Sequence, residues 1–434
     1  ARSRGSRLPL ENSRMNAEMR PADRPSGGFF YGWYIVGTVF TMQTVSCGLI
    51  FYNLSVLLNA FTAKGIFSVE AASAATASFF FSGGIAGLGV GWLMDRIDPR
   101  YLITFGALCA GTALALAGHI HALWQLYAFY IFFGIGNAAV AVIPGTTIVA
   151  RWFNRQRSRA IAYASTGLSL GGIIFTPISV TLIQKLGLEH ATYWLALMLI
   201  VGTVPISWIF LRPSPASMGL APDGDEPVRD ATGRIAPPDG VSFSDAVRSR
   251  FFILLTTSYV FAMMAQVGSL AHQFRLVATR TGDSHIAALA VSVMAAASIT
   301  GRLVGGWALY RVSSKRYLQG VFVLQATAFT LFAFAQGTAA LLIVSVMFGA
   351  TVGNLQMMQP LITAEAFGLK AYARILSLSQ MIVTCANAAG PALIGFLYEH
   401  AGGYETAYLV IAGSSVIGIS ALTLAGPVRQ RAEA

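Results

Sequence analysis

Stretches free of Asp, Glu, Lys and Arg recur along the chain, each long enough to cross a hydrocarbon layer. A bilayer core about 30 Å thick needs roughly 20 apolar residues at 1.5 Å rise per residue. Residues 25–63 hold one such span and 71–94 a second. The run 101–150 holds two, broken at Gly118-His119-Ile120-His121, and 160–184 and 190–211 hold one each. After a polar stretch come 251–274, and 284–310 with Arg302 as its single charge. The run 317–364 again holds two, broken near Gln336-Gly337, and 375–398 and 406–428 complete the set. The pattern predicts an all-α membrane protein of twelve transmembrane helices in two six-helix bundles.

The segment between the two sixes differs in kind. Residues 212–250 are rich in Pro, Gly and Asp and carry no amphipathic period long enough for a packed domain. They read as a cytoplasmic linker between an N-terminal bundle, 29–211, and a C-terminal bundle, 251–428. Residues 1–28 read as a disordered cytoplasmic tail and 429–434 as a second short tail. The first 26 residues lack the apolar core of a signal peptide, and Met15 or Met19 is the expected native start.

Composition agrees: 55% of the 434 residues are hydrophobic, 11% are charged, and mean hydropathy is +0.63. Those values exclude an ordinary water-soluble globule. The formal charge of +11 would suggest nucleic acid in a soluble protein, so the positions of the cations matter. With the N-terminus inside, 24 of the 29 Lys and Arg residues fall in inner segments. Lys64, Lys185, Arg275 and Arg280 lie toward the outer side, and Arg302 alone lies within a span. The bias predicts both termini cytoplasmic, in a multi-pass protein of the plasma or inner membrane. It assigns the positive charge to topology and membrane lipid, with no nucleic-acid partner. Cys47, Cys109 and Cys385 sit in separate apolar stretches with no metal-ligand spacing and read as packing residues; no cofactor or metal is implied.

Self-comparison finds an internal repeat. At an offset of 215, Gly91-Trp92-Leu93-Met94-Asp95-Arg96 maps onto Gly306-Trp307-Ala308-Leu309-Tyr310-Arg311, Arg100 onto Lys315, Gly187 onto Gly402 and Tyr193 onto Tyr408. At 214, Ala150-Arg151-Trp152-Phe153 maps onto Ala364-Glu365-Ala366-Phe367. A duplicated six-helix unit with its site between the halves describes a secondary transporter.

Gly91-Trp92-Leu93-Met94-Asp95-Arg96-Ile97-Asp98-Pro99-Arg100 resembles the loop signature G-x-x-x-D-R-x-G-R-R of the major facilitator superfamily, with Asp98 and Pro99 as departures. Tyr31-Gly32-Trp33-Tyr34-Ile35-Val36, Arg151-Trp152-Phe153, and Ala389-Gly390-Pro391 through Gly395 resemble the monocarboxylate transporters and the related oxalate:formate antiporter group. The resemblance spans about residues 29–428. It implies alternating access, helices 1, 4, 5, 7, 10 and 11 lining a cavity, and an inner gate containing Asp95, Arg96, Arg100 and Arg311. It also implies that an Arg in the eighth span engages the substrate carboxylate.

Arg302 fits that role on its own chemistry. It lies nine residues before Arg311, about 13 Å at helical rise and so close to mid-membrane. A charge there costs about 3 kcal/mol on insertion scales, and arginine does not escape by deprotonation. None of the 18 acidic residues belongs at that depth; Glu365 falls at the inner end of the tenth span. A guanidinium with no protein carboxylate suits a substrate that brings its own, held by the planar fork. The competing reading is a structural Arg302 that donates to backbone carbonyls or to Glu365.

Two departures bear on substrate and coupling. Animal monocarboxylate transporters carry an Asp one turn before this Arg and a Lys in helix 1; here Ser298 occupies the first position, and residues 33–61 contain no Lys. Oxalate transporters add a Lys in helix 11, and 375–398 has none. One fixed cation favours a monocarboxylate of the lactate or pyruvate type over a dicarboxylate, with protons as the candidate coupling ion. His272 is the candidate titratable group, with a satisfied polar residue of the outer vestibule as the equal alternative. Tyr52, Asn53, Asn137, Gln266, Asn354, Gln359, Gln380 and Asn387 are candidate pocket residues, each with interhelical hydrogen bonding as the alternative. Gly83, Gly87 and Gly91 form a close-packing stripe.

Other motifs fail on context. Gly167-Leu168-Ser169-Leu170-Gly171 matches G-x-S-x-G but lies inside a span with no His or Asp nearby, which argues against a hydrolase. Asn53-Leu54-Ser55 lies inside the first span, and no P-loop occurs. The remaining alternatives are a carrier of an uncharged or cationic compound, an oxalate- or formate-type anion exchanger, and a membrane receptor without transport.

Overall fold

The computed structural model describes residues 30–63, 67–225, 239–387 and 389–427. The predicted tails 1–28 and 429–434 lie outside the described residues, as does 226–238 of the linker. The membrane helices are α1 (Gly32–Thr62), α2 (Val69–Leu93), α3 (Pro99–Leu116), α4 (Leu123–Trp152), α5 (157–186) and α6 (188–210). The second set is α7 (Arg250–Thr281), α8 (Ser284–Ala308), α9 (Ser314–Phe334), α10 (Thr338–Phe367), α11 (Tyr372–His400) and α12 (Tyr404–Leu424). No strand occurs among the described residues, only an isolated bridge between Gly240 and Gly368.

The α5–α6 pair is one helical run, Arg157–Phe210, interrupted at Gly187 with φ 75° and ψ 164°. Its 54 residues would measure about 80 Å if straight, more than twice a bilayer core. The left-handed glycine divides the run into two spans. Gly402, the residue 215 positions later, also has positive φ (87°) at the α11–α12 turn.

Local chemistry sets several starts and stops. Asp98 accepts from the Arg100 amide at 2.9 Å and Pro99 takes the first helical position of α3. The two departures from the loop signature are thus an N-cap and an N1 proline. Ser68, Ser249 and Asp283 cap α2, α7 and α8, and Gly282 ends α7 in the left-handed region. Within the linker, Phe243–Arg248 forms a short helix capped by Ser242.

Packing repeats at the offset seen in the sequence. A methyl on Gly134 of α4 would collide with the Phe79 carbonyl of α2; a methyl on Gly349 of α10 would collide with the Met294 carbonyl of α8. Both residues of the first pair are 215 positions before those of the second. The offset drops to 214 beyond Ala141, where α4 leaves helical geometry (φ −84°, ψ −120°) while α10 runs on through its equivalent. That break accommodates the extra residue of the first half.

The aromatic segment at the start of α1 packs inward. Phe30, Tyr31 and Trp33 stack on Trp152 and Phe153 with ring centroids 5.1–6.0 Å apart. Trp152 is fully buried and donates to the Arg212 carbonyl at 3.0 Å. This cluster ties α1 to the end of α4 and to the chain leaving α6.

Candidate functional site

Arg302 is the one charged side chain among the fully buried large residues of the described chain. Its Nε donates to the Gly353 carbonyl at 3.0 Å and its Nη2 to Gln356 Oε1 at 3.1 Å, both on α10. Its Nη1 donates to the Ser165 carbonyl on α5, in the other half. No carboxylate among the described residues lies within ion-pair distance of it, and Glu365 is bonded elsewhere, accepting from Ser314 Oγ at 2.8 Å. A guanidinium has five N–H groups, so one hydrogen on each Nη remains beyond these bonds.

Facing this group, α1 switches to a π-helical turn over Cys47–Tyr52. The Cys47 thiol and Tyr52 hydroxyl lie within electrostatic range of the guanidinium. Such turns widen a helix locally and concentrate at functional sites. Nearby, Ser169 of α5 and Ser298 of α8 approach to 3.5 Å between hydroxyls, a second polar contact between the halves.

The other predicted pocket residues divide into two groups. Asn354 is fully engaged: its amide donates to Gly301 and Ala350 carbonyls at 3.0 and 2.8 Å, and its oxygen accepts from Tyr317 at 2.9 Å. Gln359 donates to Ser379 at 3.1 Å. These two hold α8, α9, α10 and α11 together. Asn53 and Gln266 are buried with neither amide atom bonded to protein, and the Asn387 oxygen is likewise buried and unbonded. Asn137 and Gln380 are half-buried, Asn137 one turn before the α4 break. Tyr52 is 38% exposed with Gly172 against its ring. His272 contacts the Pro391 carbonyl at 3.1 Å and the Tyr404 hydroxyl at 3.5 Å, bridging α7 to α11 and α12 rather than bonding to Arg302.

At the Arg-rich end the halves meet through a duplicated contact. Asp95 lies 3.2 Å from Arg151 in its own half and 3.5 Å from Arg374 in the other. The residues at offset 215, Tyr310 and Arg159, interact across the same boundary. Beside them, a methyl on Gly91 would meet the Ala373 carbonyl at 2.7 Å and Ser377 Oγ, and one on Gly306 would meet Ala162 Cβ at 2.6 Å and the Ser158 carbonyl at 3.5 Å. Again 91, 158 and 162 are 215 before 306, 373 and 377. Glycine permits two helix crossings here that any side chain would push apart. Of the predicted gate residues, Asp95 faces the opposite half. Arg96 lies over Trp92 at 3.6 Å, Arg311 over Trp307 at 4.8 Å, and Arg100 pairs with Asp98 at 3.2 Å, each within its own half.

Burial pushes the Asp95 carboxyl above the usual carboxylate range, against the opposing pull of Arg151 and Arg374. A cavity of about 1940 Å³ opens at this end between the halves and the linker, lined by Asp95, Arg151, Arg157, Lys315, Glu365 and Lys370 among others. Arg302 does not line it.

Sequence reasoning missed Gln356, Arg374, Arg159 and Tyr310. The last three were within reach, because the repeat that pairs Asp95 with Tyr310 also pairs Arg374 with Arg159.

A profile of the Major Facilitator Superfamily matches residues 29–279 and 276–434. The chain belongs to that superfamily. Monocarboxylate transporter 13 of Rattus norvegicus is 26% identical over 419 residues, covering 93% of this chain and 90% of that protein. Human monocarboxylate transporter 7 is 22% identical over 471 residues, covering 93% and 87%. The MFS-type transporter 1 of an Ophiocordyceps strain is 22% identical over 428 residues, covering 94% and 88%. Among solved structures, the E. coli fucose:proton symporter aligns with a TM-score of 0.68 at 15% identity, covering 92% of this chain and all of that one. The human organic anion transporter MFSD10 aligns with a TM-score of 0.67 at 16% identity, covering 90% and 99%. The transporter thus has the all-helical major facilitator fold, and the inter-half contacts described above join its two repeats.

Proposed function

We propose that this transporter moves a small monocarboxylate of the lactate or pyruvate type by alternating access, coupled to protons, with Arg302 holding the substrate carboxylate. The observation that carries this reading is a fully buried guanidinium at the boundary between the repeats with no protein carboxylate beside it. A low-dielectric site makes such a charge costly unless an anion joins it. The similarity to proteins named monocarboxylate transporters supports the same substrate class.

In this reading 29–211 and 251–428 are the rocking bundles and 212–250 is the cytoplasmic linker. Both termini are cytoplasmic and the membrane is the plasma or inner membrane. The cation-rich end is then the cytoplasmic side, closed here by Asp95 with Arg374 and by Tyr310 with Arg159. Tyr52, Asn53, Gln266 and Asn387 are the pocket residues with polar atoms available to substrate. His272 is the candidate proton carrier, working through the Tyr404 hydroxyl.

A second reading has its own observation. All three Arg302 nitrogens already meet protein acceptors, as expected of a structural tie in a carrier for an uncharged or cationic compound. Uptake of labelled lactate by proteoliposomes separates the two. The monocarboxylate reading requires accumulation that rises when the outside is acidified, and competition by pyruvate. Absence of uptake by folded protein that binds neutral or cationic solutes favours the second.

A further inference from the structure

We infer that Gln356 is a positioning residue for Arg302, and that an arriving carboxylate displaces the Ser165 carbonyl from the guanidinium and so unties the two halves. The inference rests on the monocarboxylate reading.

The three acceptors around Arg302 are not equivalent. The Gly353 carbonyl is fixed in α10, which packs against α8 within the same half. The Ser165 carbonyl belongs to α5 and moves with the other half. Gln356 is the only side chain of the three, and because arginine can only donate, its oxygen must be the atom that faces Nη2. Its amide nitrogen is thereby turned away from the guanidinium and is available as a further donor to an anion beside the fork. Fixing both Nε and Nη2 leaves the guanidinium plane little freedom to turn, so Nη1 is held toward the boundary where Ser165 sits.

The Ser165 carbonyl already accepts from a charged donor, but a carboxylate adds the attraction of a full negative charge and can take two parallel N–H···O bonds from the fork. The Nη hydrogens not bonded to protein admit it to the guanidinium, and re-seating the fork on it draws Nη1 away from the neutral carbonyl. The exchange removes a mid-membrane hydrogen bond between the halves, leaving the Ser169–Ser298 contact at 3.5 Å as the neighbouring polar link. Binding is converted into release of a tie, which is the differential interaction a two-state carrier needs. The repeat is asymmetric here: the equivalent of Arg302 is Gly87, and Gln356 falls opposite the α4 break at Ala141. Only one half carries the device.

The test uses the full chain in nanodiscs with Cys47, Cys109 and Cys385 replaced by Ser, and spin labels at Ile97→Cys and Val312→Cys, two exposed positions at the Arg-rich end on opposite halves. Lactate should shift the distance distribution between the labels. Gln356→Glu places a carboxylate on Arg302 in cis; it should produce the shifted distribution without lactate and abolish lactate binding. Gln356→Leu, similar in size, should weaken lactate binding about tenfold. If lactate binds the wild type but Gln356→Glu leaves the distribution unmoved and Gln356→Leu binds normally, the inference is overturned while the monocarboxylate reading stands. If lactate does not bind the wild type, the monocarboxylate reading fails, and the Gln356→Glu distribution still decides whether Arg302 ties the halves.

Discussion

Asp95 reaches Arg374 at 3.5 Å across the boundary between the repeats, and it is the only ion pair among the described residues that joins the two bundles. Its counterpart in the repeat, Tyr310 with Arg159, contains no carboxylate. The contact at the Arg-rich end therefore has one ion-paired arm and one in which an arginine meets an uncharged hydroxyl.

Breaking the ion-paired arm should weaken closure modestly. Arg374 is about a third exposed, and a pair of that kind is worth about 0.5–1 kcal/mol. Arg374→Ala should raise the open fraction at the Arg-rich end two- to fivefold, read as the Ile97–Val312 label distance. Tyr310→Phe should have a smaller effect, and the double variant should add the two if the arms are independent.

The same end should respond to pH. Asp95 is desolvated in the closed form, so its proton is held more tightly there than when the carboxyl is in water. The form with the higher carboxyl pKa gains population as pH falls through that pKa toward the ordinary carboxylate value near 4. Acidification from neutrality should therefore favour closure at the Arg-rich end, and Asp95→Asn should remove that part of the pH response. Opening on acidification, abolished by Asp95→Asn, would reverse the assigned sign.

Closure also depends on close helix approach. Gly91→Leu or Gly306→Leu inserts a side chain where even a methyl meets the opposite half at under 3 Å. Overpacking of this kind costs about 1–3 kcal/mol. In the proposed alternating-access cycle this contact breaks when the Arg-rich end opens, so the penalty should fall on the closed form. Both variants should increase the reactivity of inward-facing cysteine probes, with thermal stability in detergent changed much less than transport.

Asn354 separates structural from functional amides. All of its bonds are to α8, α9 and α10, so Asn354→Ala should leave partners unpaired and destabilise the second half by about 1–3 kcal/mol. Lactate affinity of the folded fraction should be unchanged. A selective loss of affinity without loss of thermal stability would place Asn354 in the pocket instead.

Much of the fold was legible because a bilayer imposes one strong constraint: charge-free runs of about 20 residues. The span count and the breaks at 118–121 and near Gly337 follow from it, and the duplication follows from self-comparison at a fixed offset. The offset of 215 was legible at the ends of α2 and α8 and in α6 and α12, and slipped to 214 at the ends of α4 and α10; the glycine crossings that fix it, Gly134 on Phe79 and Gly349 on Met294, emerge only from the packing. It fades at α1 and α7, where Gly48 against Gly171 matches Gly268 against Gly390 at offsets of 220 and 219. Arg302 stood out as the lone intramembrane charge. Its acceptors did not, because two are backbone carbonyls, which every residue has. The sequence pointed to Arg96 and Arg311 for the inner gate; each lies over the Trp one turn before it, while the arginines that meet the opposite half are Arg374 and Arg159, which sequence adjacency to Asp95 does not reveal.

The most direct test of carboxylate binding by Arg302 is lactate uptake into proteoliposomes by wild type, Arg302→Lys and Arg302→Ala at matched incorporation. Lysine keeps the charge but loses the planar fork, so Arg302→Lys should retain weak uptake and Arg302→Ala none above background. Uptake at the wild-type rate by Arg302→Ala would contradict the assignment.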